Sequence, residues 1–402
     1  MSKHNFDESA MSPETYLCHG AFDPDLFGGI VNPPVYHAST VLFKTCKDLE
    51  QKHQALFHDG EDEIMYYGRF GTPITFAVQK ALAELEGGHR SLLVPTGLAA
   101  CTSALLALVK AGDHILVSSS VYGPTRGFVN KVLHNMGVSA TYFDPAIGEG
   151  IAELFKPNTT VVFTESPGSQ TFDIQDIPAI SRIAHDRNAK VIIDNTWATP
   201  LYFKPFDHGA DVSVHAATKY IVGHSDAQMG LITANEETWP AIRSLVYLLG
   251  LHAAPDDVYL AQRGLRTMAL RLERHQSSAL KIAEWFTTRE EVEQVLHPAL
   301  TGCPGHALWK RDFTGSSGLF SVVLKPGYSK TSVQQFIDSL QYFGIGFSWG
   351  GFESLAIPFD PRKDRPEYNW PYQGESFRLQ IGLENPDDLI RDLAEGLKYL
   401  RA

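Results

Sequence analysis

From about residue 90 the chain alternates short apolar runs with stretches of helical periodicity, the pattern of a mostly parallel sheet joined by helical crossovers. Strands are predicted at Ser91 to Pro95, His114 to Ser118, Val138 to Phe143, Thr160 to Thr164, Lys190 to Asp194, Asp211 to His215 and Met229 to Thr233. Between them Gly97 to Lys110, Gly123 to Asn135 and Ile177 to Arg187 read as helices. Together they form a large α/β domain, placed at residues 66–257.

The spacing then changes. A long helical stretch from about Val258 to Thr288 leads to a strand at Gly318 to Leu324, a helix near Thr331 to Tyr342 and a strand at Ser376 to Ile381. The last helix is well marked: Asn385 as N-cap, Pro386 at the first helical position, Asp387 and Asp388 in the first turn, and Leu389, Ile390, Leu393, Leu397 and Leu400 on one face. This is a smaller C-terminal α/β domain, residues 258–402. Residues 1–65 show weak periodicity and the turn-rich pieces Phe27-Gly28-Gly29 and Asn32-Pro33-Pro34. So long a loop is improbable inside a compact domain, so it is read as an arm wrapping another subunit, which implies a homo-oligomer. Neither an internal repeat nor a low-complexity tract is evident.

A length of 402 residues suits two domains, and 44% hydrophobic with 20% charged residues suits a soluble globular protein. The net charge of −12 and the lack of a long basic run argue against nucleic acid or anionic membrane as partner and leave small molecules. Met1 to Glu14 is polar, without a signal or transit pattern, and no apolar run reaches membrane-spanning length. Cys18, Cys46, Cys101 and Cys303 are scattered without Cys-x-x-Cys, so no disulfide framework or zinc site is expected, and the cytoplasm is the default compartment.

Lys219 stands in the apolar stretch Val212 to Gly223, a poor place for a solvated charge. Burial there would lower its pKa and make the ammonium an amine nucleophile. Asp194, upstream, ends the run Lys190-Val191-Ile192-Ile193-Asp194, and a carboxylate paired with an activated lysine suits a cofactor aldehyde whose ring nitrogen needs a counter-charge. Thr96-Gly97-Leu98 lies where a strand meets a helix, where free N–H groups hold a phosphate, although a structural glycine in a βα turn is the commoner case. Arg69 lies in the glycine-spaced loop Tyr67-Gly68-Arg69-Phe70-Gly71 and suits phosphate or carboxylate, while a lone loop arginine is usually solvated. Arg378, inside the alternating strand Ser376-Phe377-Arg378-Leu379, suits a two-pronged grip on a carboxylate unless it simply faces outward. His215 and His208 read as structural histidines, no metal-ligand cluster is seen, and Gly315-Ser316-Ser317-Gly318 lacks the spacing of a hydrolase elbow.

Tyr67-Gly68-Arg69, Glu165-Ser166-Pro167, Asp194-Asn195-Thr196-Trp197-Ala198, Ala217 to Asp226 and Ser348-Trp349-Gly350-Gly351-Phe352-Glu353-Ser354 together resemble the Cys/Met-metabolism family of pyridoxal-phosphate enzymes, from about Thr15 to the C-terminus. The resemblance implies the aspartate-aminotransferase-like fold, fold type I, with pyridoxal 5'-phosphate as cofactor. It implies that Lys219 carries the cofactor aldehyde and then serves as base, and that Asp194 pairs with the ring nitrogen. Gly97, Leu98 and Thr218 are expected to hold the phosphate from one subunit, with Tyr67 and Arg69 reaching it from the neighbour. Tyr122 is expected to stack on the ring, Arg378 to take the substrate carboxylate, and Ser348 and Trp349 to line the substrate side. Tyr67 and Tyr122 join Lys219 among the residues expected to act in catalysis. Sites shared across a dimer imply a tetramer built as a dimer of dimers.

Two departures narrow the resemblance. Ala216 stands where many members have serine, and Ser169 where many have asparagine, as in the bacterial β-lyases of the family. The implied reaction is β-elimination of L-cystathionine, an amino-acid thioether, to homocysteine, pyruvate and ammonia, with cysteine or cystine as further substrates. Trp349 favours β over γ chemistry, because γ-acting relatives more often resemble Ser-Leu-Gly there. The rivals are a γ-lyase, γ-synthase or methionine γ-lyase, and a regulatory protein that binds the cofactor without turning over.

Overall fold

The computed structural model describes residues 10–401, folded around two sheets. The larger holds β1 (Arg90–Val94), β2 (His114–Ser118), β3 (Ser139–Phe143), β4 (Thr159–Glu165), β5 (Lys190–Asp194), β6 (Val212–Ala216) and β7 (Gly230–Ala234), in the order β1-β7-β6-β5-β4-β2-β3. From β3 to β6 the neighbours run parallel, and β7 is antiparallel to both β6 and β1. Strands covered on both faces need apolar residues on both, and β2 and β7 are buried at every position. The parallel strands β4, β5 and β6 end side by side at Glu165, Asp194 and Ala216. In such sheets ligands bind beyond the carboxyl ends of the strands.

The crossover helices follow local signals. The helix Gly97–Leu108 begins three residues after β1, with Thr96 as N-cap accepting from the N–H of Ala99 at 3.0 Å. The predicted helix from Gly123 is α-helical to Phe128 and continues as a π turn over Val129–Leu133. Neither Pro73–Glu86 nor Trp239–Leu248 was predicted. The first has Pro73 at its start, Ile74, Val78, Leu82 and Leu85 buried, and Gly87 closing it at φ 77°. The stretch predicted as one helix from Val258 to Thr288 is two, Pro255–Leu265 and Met268–Thr287. The break is tertiary in origin. Gly264 lies so close to the Ile221 and Val222 carbonyls that a Cβ would come within 2.3 and 2.4 Å, and Arg271 donates to the Gly264 carbonyl at 2.8 Å.

The smaller sheet contains β8 (Val292–Leu296), β9 (Leu319–Leu324), β10 (Phe343–Gly344), β11 (Ser354–Phe359) and β12 (Ser376–Gln380), in the order β10-β11-β12-β9-β8. Its core joins Phe320, Val322, Phe377 and Leu379 to Leu389, Leu393 and Leu397 of the closing helix, Pro386–Leu397, whose N-cap is Asn385. One buried polar residue of that helix, Asp392, accepts from the N–H groups of Gln341 and Tyr342, fixing the base of the loop that runs on to Ser348 and Trp349.

The N-terminal arm is not the structureless segment its weak periodicity predicted, for it contains the helices Pro13–His19 and Cys46–Phe57. Between them Leu26 and Leu42 are 76% and 89% exposed. Among the described residues no helix is long and apolar enough to cross a membrane.

Candidate active site

Lys219 lies in the turn that leaves β6. The turn is tied by the Lys219 N–H to the Ala216 carbonyl at 3.0 Å and by the Gly223 N–H to the Lys219 carbonyl at 2.8 Å. From the smaller sheet the loop after β10 comes down on it. Gly350, at φ 83°, sits so close that a Cβ would stand 3.0 Å from the Lys219 carbonyl carbon and the Tyr220 nitrogen. This approach puts Ser348 Oγ 2.5 Å from Lys219 Nζ and the Trp349 ring centre 5.5 Å from it. Burial first, and the Arg378 guanidinium second, lower the Lys219 pKa to about 8, against a smaller pull from Asp194. An ammonium this close to neutrality near physiological pH is suited to nucleophilic and base chemistry.

Arg378 lies on β12 between Ile357 and Ser321 of the neighbouring strands and is 8% exposed, so it does not face outward. Its Nη2 donates to the Ser348 carbonyl at 3.1 Å, while its buried Nε has no partner among the described residues. Burial brings its pKa down to about 10. A buried guanidinium with an unused donor suits a carboxylate. Ser348 thus links Lys219 and Arg378, by its hydroxyl and its carbonyl.

Asp194 ends β5 beneath this group. Its Oδ1 accepts both from the N–H of Thr196 at 3.0 Å and from the Thr196 hydroxyl, which itself accepts from the Ala216 N–H at 2.9 Å. Among the described residues Oδ2 meets only the Cys101 thiol, at 3.7 Å. Burial raises the Asp194 pKa despite these bonds. An oxygen so weakly engaged on a buried carboxylate fits a protonated ring nitrogen, which would offset the burial.

The phosphate cradle fits as well. The Thr96 side chain caps Ala99, and no hydrogen bond among the described residues takes the N–H of Gly97 or Leu98. A Cβ on Gly97 would stand 2.4 Å from Ala216 Cβ, so the glycine and the small Ala216 together let helix and strand close up here. Thr218 differs from expectation: its hydroxyl is engaged with the Met229 backbone, accepting at 3.0 Å and donating at 3.3 Å.

Tyr122 is 45% exposed, and its N–H donates at 2.6 Å to the half-buried Glu165, whose carboxyl pKa burial pushes well up. Tyr67 and Arg69 lie apart. Tyr67 accepts from the Ser39 hydroxyl at 3.2 Å, and Arg69 donates to the Tyr247 carbonyl at 2.6 Å. No hydrogen bond joins either to Lys219, Asp194 or Arg378 among the described residues. Sequence reasoning also missed three supports: Thr196, Glu165 and Glu86, the last paired with His215 inside the sheet. A hydroxyl two residues after an aspartate is a local signal for the first. Glu165 stands in the motif Glu165-Ser166-Pro167 without a role being read for it, and nothing in the sequence marks Glu86.

The family profile described as Cys/Met metabolism PLP-dependent enzyme matches residues 14–398. The chain belongs to this family. Its cofactor is therefore pyridoxal phosphate, in keeping with the donor set around Lys219. Cystathionine beta-lyase of Haemophilus influenzae is 43% identical over 391 residues, covering 96% of this chain and 98% of that protein. Cystathionine beta-lyase MetC of Escherichia coli is 43% identical over 373 residues, covering 92% of this chain and 93% of that one. Among solved structures, metB from Corynebacterium glutamicum matches with a TM-score of 0.88 at 30% identity, covering 98% of this chain and 99% of that chain. Family members share the fold type I architecture predicted from the motifs.

Proposed function

We propose that this chain is a carbon–sulfur lyase acting by β-elimination on L-cystathionine, releasing homocysteine, pyruvate and ammonia. The observation that carries the reading is Lys219: an amine with its pKa lowered to about 8, bonded to Ser348 at 2.5 Å, whose carbonyl accepts from Arg378. The choice of substrate rests on the relatives bearing that name and on Trp349, which walls the lysine from the small domain.

Bound pyridoxal phosphate supplies an electron sink that renders the Cα–H of an amino acid acidic. The Gly97 and Leu98 N–H groups would hold its phosphate, the Thr218 hydroxyl being turned to Met229, and Asp194 would meet its ring nitrogen. Tyr122, held through its backbone by Glu165, would pack against its ring. Arg378 takes the substrate α-carboxylate and so aims the Cα–H at Lys219. Lys219 Nζ, held by Ser348, accepts the Cα proton and delivers a proton to the departing sulfur. Water then hydrolyses the three-carbon fragment to pyruvate and ammonia.

Tyr67 and Arg69 make their contacts away from Lys219 in one chain, and the arm beside them exposes apolar residues. This supports sites completed by a neighbouring copy; on our reading the dimer pairs into a tetramer and the enzyme works in the cytoplasm. The residue ranges 1–65, 66–257 and 258–402 serve as arm, cofactor domain and C-terminal domain. Incubation with L-cystathionine followed by identification of the oxo acid tests the reading: pyruvate is expected, and 2-oxobutanoate would assign γ chemistry instead.

A further inference from the structure

Directly under Asp194, on the opposite face of the sheet, lies a charge pair that the proposed reaction does not use. Glu86, the last residue of the helix Pro73–Glu86, and His215, on β6, are fully buried and joined through Oε1 and Nε2. The same oxygen accepts from Ser213 Oγ at 2.8 Å and from Asn195 Nδ2 at 3.5 Å. Both partners are placed by the sheet. Asn195 follows Asp194 in sequence, and His215 follows Val214, the register partner of Asp194. In a parallel pair such neighbours share a face, so Asp194 points toward Cys101 and the helix Gly97–Leu108, while Asn195 and His215 point toward Glu86. Asp194 is thus gripped on one face through Thr196 and backed on the other by this pair.

A buried ion pair does not earn its place by stability, since apolar residues of equal volume serve as well. Its charge must then be judged by what lies beside it. Despite complete burial the Glu86 carboxyl is held below the usual range by the contact with His215 and by hydrogen bonds from Thr233 and Ser213. Glu86 is the charged group bonded to His215, and Asp194 stands across the sheet from it; Ser213, Asn195 and Thr233 line the cluster without charge. His215 also opposes the rise that burial imposes on Asp194.

We propose that Glu86 and His215 are positioning residues which, as a buried carboxylate and imidazolium behind β5, keep Asp194 ionised and so set how firmly the cofactor ring nitrogen is held. The inference rests on the assignment of Asp194 to that nitrogen. Neither residue touches the reacting atoms; both act through Asp194.

The test uses the cofactor-loaded enzyme with Glu86→Gln, His215→Gln, Asp194→Asn and Ser213→Ala, reading the cofactor dissociation constant and the pH at which its visible band converts. Glu86→Gln and His215→Gln are each expected to weaken cofactor binding about tenfold and to move the conversion by about one pH unit, the effect of one unit in the pKa of Asp194. Asp194→Asn is expected to do more of both. Ser213→Ala removes a hydrogen bond of the same cluster without changing its charge, so it is expected to lower stability and leave the conversion in place. If Asp194→Asn shifts the band while the Glu86 and His215 variants do not, the proposal fails and the Asp194 assignment stands. If Asp194→Asn also changes nothing, that assignment is the one that falls. Should the buried variants not fold, neutron diffraction from the wild-type enzyme decides: deuterons on both His215 ring nitrogens are expected, and a singly protonated ring overturns the proposal.

Discussion

The surroundings of Lys219 and those of Arg69 differ in where each side chain finds its partners. Lys219 is enclosed by its own chain: Ser348 at 2.5 Å, Trp349 alongside, Gly350 against its backbone and Asp194 behind. Arg69 follows the half-exposed Tyr67, spends one donor on the Tyr247 carbonyl, and lies in a region flanked by an arm that leaves Leu26 and Leu42 in solvent. Both lie in segments that resemble one family's cofactor site. The first is a product of folding, and the second, on our proposal, becomes part of a site only by assembly.

Lys219→Ala is expected to reduce pyruvate formation from L-cystathionine by at least about a thousandfold, the scale of a lost acid–base group, without dependence on protein concentration. A variant retaining full turnover would remove Lys219 from the mechanism. Arg378→Lys keeps the charge but loses the planar fork, so kcat/KM is expected to fall about a hundredfold while cofactor affinity holds. An equal loss of cofactor would mean that Arg378 supports the fold and not the substrate. Arg69→Ala is expected to weaken cofactor binding about tenfold, the loss of one charged hydrogen bond, and to do so in the assembled protein.

Two smaller effects sharpen the folded half. Gly97→Ala is expected to destabilise by about 1–3 kcal/mol in denaturant titration, because its Cβ has no room against Ala216. The cofactor-free protein is expected to capture pyridoxal phosphate faster as pH rises toward about 8 and to level off above it, since the amine is the reactive form and the Lys219 pKa is lowered to about 8. A rate still climbing toward pH 10 would indicate an ordinary solvated lysine.

The same contrast explains what could be read from the chain. β2 and β5 have the ends their apolar runs predict, His114–Ser118 and Lys190–Asp194, because a covered parallel strand stops where apolar residues stop. The helix Pro73–Glu86 carried its own start and stop in Pro73 and Gly87 and was overlooked amid turn-rich neighbours. The break near Thr267 was not legible at all, since it arises where Gly264 meets the Ile221 and Val222 carbonyls. At the site, Lys219 stood out as a charge among apolar residues, and the motifs around it identified the family. The bond from the Tyr122 N–H to Glu165 and the pair of Glu86 with His215 leave no local trace, because each joins residues far apart in sequence. The Thr218 hydroxyl was expected to face a phosphate and is engaged with Met229 instead.

The most direct test of a Lys219 site completed by a second copy is complementation. Lys219→Ala and Arg69→Ala proteins, each impaired alone, are unfolded together, refolded as a mixture and assayed for pyruvate from L-cystathionine. If Lys219 of one copy works with Arg69 of another, mixed dimers contain one intact site and the mixture recovers up to about a quarter of wild-type activity. A mixture no more active than the average of its two components would contradict the account and place Arg69 and Lys219 of one chain in the same site.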